Sequence, residues 1–148
     1  MKIGDLPPNF SLPDQNGNSI SLYDYRDKQN VVLFFYPRDD TPGWTIQVCE
    51  FRDMYQDFID NDAVVIGISS DNAKSHKNFI NKHKLPFPLL VDANNSLRKL
   101  WKVPKSLFVL AGRVTYIIDK TGTIRLIFNS STQVKKHVYE ALSILKQI

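Results

Sequence analysis

Residues 37–53 hold the residue types whose spacing favours chemistry on an anion. They read PRDDTPGWTIQVCEFRD and follow the apolar run VVLFFY at 31–36. The run predicts a buried strand, and the residues after Gly43 predict a helix. A side chain in the first turn of a helix that follows a central strand faces free backbone N–H groups and the positive end of the helix dipole. Position 44 is such a place, and negative charge is stabilised there.

Trp44 occupies this position. A cysteine there would have its thiolate favoured, and a nearby arginine would favour the thiolate further. An indole has no ionisable group and cannot act as a nucleophile. The residues therefore indicate a site arranged for an anion but without its reactive group. Cys49 is the only cysteine of the chain, so no internal disulfide can form.

The elements that must position this segment follow from the apolar pattern. Apolar runs predict strands at 31–36, 63–69, 87–92, 114–119 and 123–128. Helical spacing predicts helices within 45–61, 72–84, 94–103 and 131–148. Two extended segments around the turn-forming QNGN predict an added hairpin within residues 9–25. Together these elements predict one α/β domain over residues 1–148, with a central mixed sheet, helices on both faces and an N-terminal hairpin.

Composition and charge exclude several classes of function. The 19 Lys and Arg residues against 15 Asp and Glu residues give a formal charge of +4, but they are scattered, which argues against a nucleic-acid partner. The apolar runs are too short to cross a bilayer, and MKIGDLPPNF lacks the features of a signal peptide, so a soluble protein without a membrane partner is expected. His76, His83 and His137 stand far apart, so we expect surface histidines and neither a metal nor a cofactor.

The segment PRDDTPGW resembles the peroxiredoxin signature, in which a proline, a threonine and the peroxidatic cysteine are spaced as Pro37, Thr41 and position 44 are here. The resemblance is to the Q type, also called bacterioferritin comigratory proteins. In that type a resolving cysteine lies five residues after the peroxidatic one, as Cys49 lies after Trp44. Further stretches that match the family pattern in order are GDLPPNFSLPDQNG, VVLFFYPRDDTPG, CEFRD, VIGISSD, SHKNF, LPFPLLVD, VPKSLFVLAGRVTYIIDKTG and VKKHVYEAL. VPKSLFVLAGR is most similar to the cyanobacterial and plant chloroplast branch.

The resemblance implies a thioredoxin fold and a monomeric thiol peroxidase that reduces hydrogen peroxide and organic hydroperoxides. It implies that Thr41 orients the peroxide, that Pro37 shields the pocket from water, and that Arg113 holds the thiolate and polarises the O–O bond. Cys49 would attack the sulfenic acid formed at position 44, and thioredoxin would reduce the resulting disulfide. The expected location is the cytoplasm, or the plastid stroma or lumen if a transit peptide has been removed.

Each of these residues also has a purely structural interpretation. Pro37 and Gly43 turn the chain between strand and helix, and Thr41 caps the helix. Arg113 is a solvated charge before a strand, and Cys49 is a small buried residue of a helix. The acidic and basic neighbours of the motif are interpreted as capping and ion-pair residues: Asp39, Asp40, Glu50, Arg52 and Asp53.

Three explanations of Trp44 remain open. The first is a deliberate substitution of the peroxidatic cysteine. The second is a UGA codon that specifies selenocysteine in the natural protein. The third is a natural pseudo-peroxidase, in which the fold and Cys49 serve as a module that binds a redox partner. A thiol-disulfide oxidoreductase is disfavoured because no Cys-x-x-Cys occurs.

The size of the indole leads to a conformational prediction. An indole is much larger than a thiol and should not fit a packed pocket unchanged. We therefore predict that residues 41–49 are partly unwound or displaced, with Trp44 turned outward or onto a neighbouring apolar surface.

Overall fold

The strands and helices lie close to the predicted segments. The computed structural model describes residues 1–104, 113–130 and 132–148. Its strands are β1 Ser11–Pro13, β2 Ser19–Ser21, β3 Asn30–Phe35, β4 Ala63–Ser69, β5 Leu89–Val91, β6 Val114–Ile118 and β7 Ile124–Asn129. Its helices are α1 Pro42–Asp53, α2 Tyr55–Asp60, α3 Ala73–His83, α4 Ser96–Leu100 and α5 Lys136–Leu145. Short 3₁₀ turns cover Leu22–Tyr25 and Ala93–Asn95. Most of VPKSLFVLAGR, the segment most similar to the chloroplast branch, lies outside the described residues.

The central sheet of the described residues is mixed, with the strand order β5-β4-β3-β6-β7. Strand β3 runs parallel to β4 and antiparallel to β6. Every side chain of β3 is buried, because it lies in the middle of the sheet with helices or loops over both faces. This topology brings the end of β3 and the beginning of β6 to the same edge of the sheet.

Side chains alternate between two apolar clusters, as strand geometry requires. Val32 and Phe34 of β3 face the cluster that also holds side chains of α1, α2, α3 and α5. Val31, Leu33 and Phe35 face the other cluster, to which α4 and the N-terminal segment contribute. The two-stranded hairpin of β1 and β2 is the predicted N-terminal addition. The prediction of a mixed α/β sheet with helices on both faces is confirmed.

Two details differ from the prediction. The helix predicted within 45–61 is two helices, because the chain breaks at Met54, whose φ of −96° and ψ of 8° are not helical. His76 and His137 are fully buried rather than at the surface, because polar partners from distant elements surround both rings. No helix in the described part of the chain is long and apolar enough to cross a membrane.

Candidate active site at the first turn of helix α1

Helix α1 begins directly after the loop that leaves the end of β3. Thr41 is its N-cap residue, with an extended backbone (φ −86°, ψ 144°), and Pro42 takes the first helical position, where its missing N–H costs nothing. The hydroxyl of Thr41 donates to the carbonyl oxygen of Arg38 at 2.9 Å and does not cap the helix. The backbone N–H groups of the first turn thus have no side-chain cap, and they lend this end of the helix positive character.

Arg113 lies against this turn. A Cβ atom placed on Gly43 would come within 2.6 Å of Nη2 and 2.9 Å of Cζ of Arg113, so a side chain at position 43 would displace the guanidinium. Burial lowers the pKa of Arg113 from its usual value. Its buried Nη1 has no hydrogen-bond partner among the described residues. A guanidinium whose Nη1 has no partner within the described ranges therefore lies beside the first turn of α1.

Trp44 points into the apolar cluster, and its side chain is 0% exposed. The indole stacks on the ring of Tyr36 with centroids 3.7 Å apart and planes 10° apart. It meets Phe34 edge to face at 5.6 Å, and Phe79 lies parallel to it at 6.2 Å. Its buried Nε1 has no partner within the described ranges. Position 44 therefore holds a core side chain and no reactive group.

The predicted unwinding of residues 41–49 is wrong. Helix α1 is continuous from Pro42 to Asp53, and Trp44 lies inside it. The indole fits because it is flat and stacks on the ring of Tyr36. Its outer edge, at Cη2, faces Gly67, where even an added Cβ atom would lie at an ordinary contact distance of 3.6 Å. The indole is accommodated by stacking and not by displacing the helix.

Cys49 lies on the same helix, half-buried at the edge of the apolar cluster. Its Sγ is 3.9 Å from Nδ1 of His83, and the two groups form a weak hydrogen bond. Burial lowers the pKa of His83, and the neighbouring Lys82 contributes to the same shift, so the imidazole is neutral at pH 7. Cys49 is thus a thiol beside a neutral imidazole.

The structure brings some predicted site residues together and keeps others apart. Arg113 meets the first turn of α1, and half-buried Pro37 follows the end of β3. Residues 44 and 49 are separated by roughly 7.5 Å along an intact helix, whereas a disulfide needs Cα atoms within about 4.4–6.8 Å. A bond between these two positions therefore requires that α1 unwinds locally.

Gln47 and His137 lie beside the site and were missed in the sequence. Gln47 is 1% exposed, one turn after Gly43, and its Oε1 has no partner among the described residues. Nδ1 of His137 lies 2.8 Å from the hydroxyl of Thr115, and its Nε2 lies 2.7 Å from the carbonyl oxygen of Ser130. Burial lowers the pKa of His137, and nearby Arg113 acts in the same direction. The helical spacing of Gln47 with Val48 and Phe51 was the one feature of the sequence that could have indicated a buried position for Gln47.

Asp39 is a buried pairing residue of the loop between β3 and α1. It was interpreted as a capping or ion-pair residue, and its carboxylate, with a side chain that is 2% exposed, pairs with buried His76 at 2.8 Å. The neighbouring charges do form surface ion pairs, since Asp40 meets Lys82 at 3.3 Å and Asp53 meets Arg52 at 3.0 Å.

Comparisons with known proteins identify the fold and the family. The sequence profile of the AhpC/TSA family matches residues 3–127. The chloroplastic peroxiredoxin Q of Triticum aestivum is 49% identical over 146 residues, which cover 98% of this chain and 67% of that protein. The chain belongs to the peroxiredoxin family, Q type.

Solved structures agree with this assignment. The peroxidoxin BcpB of Mycobacterium tuberculosis superposes with a TM-score of 0.92 at 33% identity, covering 100% of this chain and 98% of that one. A cysteine-to-serine mutant of PrxQ from Xylella fastidiosa gives a TM-score of 0.90 at 33% identity, covering 99% and 96%. The expected thioredoxin fold of the peroxiredoxin type is confirmed. The family consists of antioxidant oxidoreductases, the thioredoxin-dependent peroxidases, which act on peroxides and need a reductant partner.

Proposed function

We propose that position 44 is the place of the peroxidatic cysteine, and that this chain, with Trp44, has no peroxidase activity of its own. The observation that carries the proposal is the guanidinium of Arg113 against Gly43, directly beside position 44. A guanidinium and the free N–H groups of a helix end both stabilise a thiolate. Trp44 makes no use of either, since its indole lies in the apolar cluster.

The roles of the other site residues follow from their surroundings. The oxygen of Thr41 donates its proton to a backbone carbonyl and keeps lone pairs to orient a peroxide. Half-buried Pro37 shields the pocket at the end of β3. Arg113 polarises the O–O bond during attack. Cys49 is the resolving cysteine, and its half-buried thiol reaches position 44 only when α1 unwinds.

With a cysteine at position 44, the reaction balances as follows. The thiolate attacks one oxygen of the hydroperoxide, the O–O bond breaks, and an alcohol or water leaves while a sulfenic acid forms. The thiol of Cys49 attacks that sulfur, water leaves, and a disulfide joins the two positions. A dithiol reductant, which we propose to be thioredoxin, exchanges with this disulfide and restores both thiols.

We further propose that the protein acts as a monomer and that residues 1–148 form a single domain. The central sheet takes strands from residue 30 to residue 129, which supports the single domain. The chloroplastic relatives support a plastid location over the cytoplasm.

A second candidate function is a module that binds a redox partner without turnover. It is favoured by the intact α1 around a fully buried Trp44, because the fold has accommodated the indole without strain on the helix. The half-buried Cys49 remains available to such a partner.

The deciding experiment measures hydroperoxide consumption coupled to thioredoxin. The chain itself should not exceed a Cys49→Ser control, because neither an indole nor a resolving thiol replaces the nucleophile. The Trp44→Cys variant should turn over with thioredoxin, and Trp44→Ser, which lacks a thiol at position 44, should not. Turnover by the unchanged chain above the Cys49→Ser control would refute its inactivity. An inactive but folded Trp44→Cys variant would leave the binding module as the function.

A further inference from the structure

A network of buried hydrogen bonds joins the loop before α1 to the beginning of α3. Its centre is the carboxylate of Asp39, in the loop between β3 and α1. The hydroxyl of Tyr36 donates to its Oδ1 at 2.8 Å, and the hydroxyl of Ser75 donates to its Oδ2 at 2.8 Å. Nδ1 of His76 lies 2.8 Å from the same Oδ2. Asp39 therefore has partners on both oxygens without any contact with solvent.

The partners of His76 fix the orientation of its ring. Its Nε2 lies 2.9 Å from the carbonyl oxygen of Leu90, which can only accept, so Nε2 carries a proton. Its Nδ1 lies 2.8 Å from Oδ2 of Asp39, so a hydrogen bond joins the two atoms. Burial, with the charge of Asp39, raises the pKa of Tyr36 well above its usual value, so the phenol keeps its proton and donates. The centre of the network is thus a buried, hydrogen-bonded pair of His76 and Asp39.

The network holds the loop by its main chain as well. The backbone N–H of Asp39 donates to Oδ2 of Asp71 at 2.8 Å, and the hydroxyl of Ser69, at the end of β4, donates to the same oxygen at 2.6 Å. Atoms of Asp39, Asp71 and His76 lie within 4.8 Å of one another, but each already has a protein partner, so the cluster is a hydrogen-bond network. The loop is therefore fixed to β4 and to the beginning of α3.

Both ends of this anchored loop touch the proposed site. Thr41 lies two residues after Asp39, and its hydroxyl is the one assigned to the peroxide. Tyr36 lies three residues before Asp39, and its ring is the surface on which the side chain at position 44 stacks, 3.7 Å away. A change at Asp39 therefore reaches the site along two short paths, one through the backbone and one through the ring of Tyr36.

We infer that His76 is a positioning residue of this site, which acts through Asp39 to fix Thr41 and the ring that supports position 44. The expected effect on peroxide reduction rests on the proposed function. The expected effect on the position of the loop does not. Removal of one partner leaves the other polar group buried without its hydrogen bond, so the loop is expected to shift. Phe79 and Val48, which pack beside the site, have no polar atom in their side chains.

The first test uses the chain as it exists and needs no activity. It follows the indole N–H signals of ¹⁵N-labelled protein by NMR. The signal of Trp44 should move in His76→Gln, while that of Trp101, on the other face of the sheet, should stay. Lys77→Gln, at the neighbouring residue of α3, is the control and should move neither signal. An unchanged Trp44 signal in His76→Gln would overturn the inference.

The second test measures the peroxide step by stopped flow in the Trp44→Cys background. His76→Gln and Asp39→Asn should each slow the reaction by about 10-fold to 100-fold, the scale of a misplacement near 1 Å. The double variant changes both members of the pair, so neither is left facing its original partner, and it should regain most of the lost rate. Phe58→Leu, in α2, serves as the control that loses stability without touching the network. Rates in the single variants no lower than in Phe58→Leu would refute the positioning role. An inactive Trp44→Cys parent would refute the proposed function, and the first test would still decide the role of His76.

Discussion

The first turn of α1 and the turn that carries Cys49 belong to one helix but differ in what surrounds them. Trp44 is 0% exposed and packed among aromatic rings, while Nη1 of the neighbouring Arg113 has no hydrogen-bond partner among the described residues. Cys49 is half-buried and lies 3.9 Å from an imidazole nitrogen. The comparison shows that a helix N-terminus and a guanidinium can lie beside a side chain that interacts with neither. The reactive sulfur lies instead in the other turn, next to an imidazole that is neutral.

The largest expected effect concerns stability. Trp44→Ala removes a fully buried indole and should lower the free energy of unfolding by about 3–5 kcal/mol. Cys49→Ala removes only a partly buried sulfur at the edge of the cluster and should cost less than about 1.5 kcal/mol. Urea unfolding followed by circular dichroism measures both. Equal losses in the two variants would show that Trp44 is not the core residue that its packing indicates.

The next effect tests whether the charge beside position 44 is functional. In the Trp44→Cys background, Arg113→Ala should slow peroxide reduction by roughly 10²–10³-fold, as the loss of a donor to developing charge does elsewhere. Thr41→Val should also slow peroxide reduction in this background. Arg125→Ala removes an exposed guanidinium on β7 and is the matched control, which should react as the parent does. A rate in Arg113→Ala equal to that of the control would assign Arg113 a structural role only.

The smallest effect concerns the other turn. Because burial lowers the pKa of His83, its imidazole is neutral at pH 7.5 and adds no positive charge next to Cys49. His83→Gln should therefore change the rate of Cys49 alkylation by iodoacetamide by less than about fivefold, the range of a weak exposed interaction. Lys82→Gln, one residue earlier on α3, provides the comparison. A much larger fall in the alkylation rate of His83→Gln would mean that a cationic imidazole activates the thiol of Cys49. The difference in nearby positive charge between the two turns of α1 would then be smaller.

The sequence predicted the sheet well because buried strands leave a local signal. The run VVLFF alternates between two apolar clusters, and its neighbours do the same, so their apolar pattern is continuous. The break at Met54 was missed because apolar residues at 48, 51, 55 and 58 keep helical spacing across it, and no glycine or proline marks it.

The parts of the site that depend on volume or on distant partners could not be predicted from local patterns. The place of Arg113 was expected only from the family resemblance, and its guanidinium lies against Gly43. The fit of the indole depends on stacking with Tyr36 and on contacts with further aromatic rings, which no local pattern reports. The burial of His76 depends on Asp39, 37 residues away, and spacing along the chain says nothing about such a pair.

The antiparallel placement of β6 beside β3 has a consequence for the order of events during synthesis. Position 44 is translated long before Arg113, and a domain generally folds as a unit. A short helix such as α1 is marginal without the sheet on which it packs. A nucleophile at position 44 would therefore have neither the helix dipole nor the guanidinium while the chain is being synthesised. The nascent chain would carry an ordinary thiol, and the activated one would exist only after β6 has paired with β3.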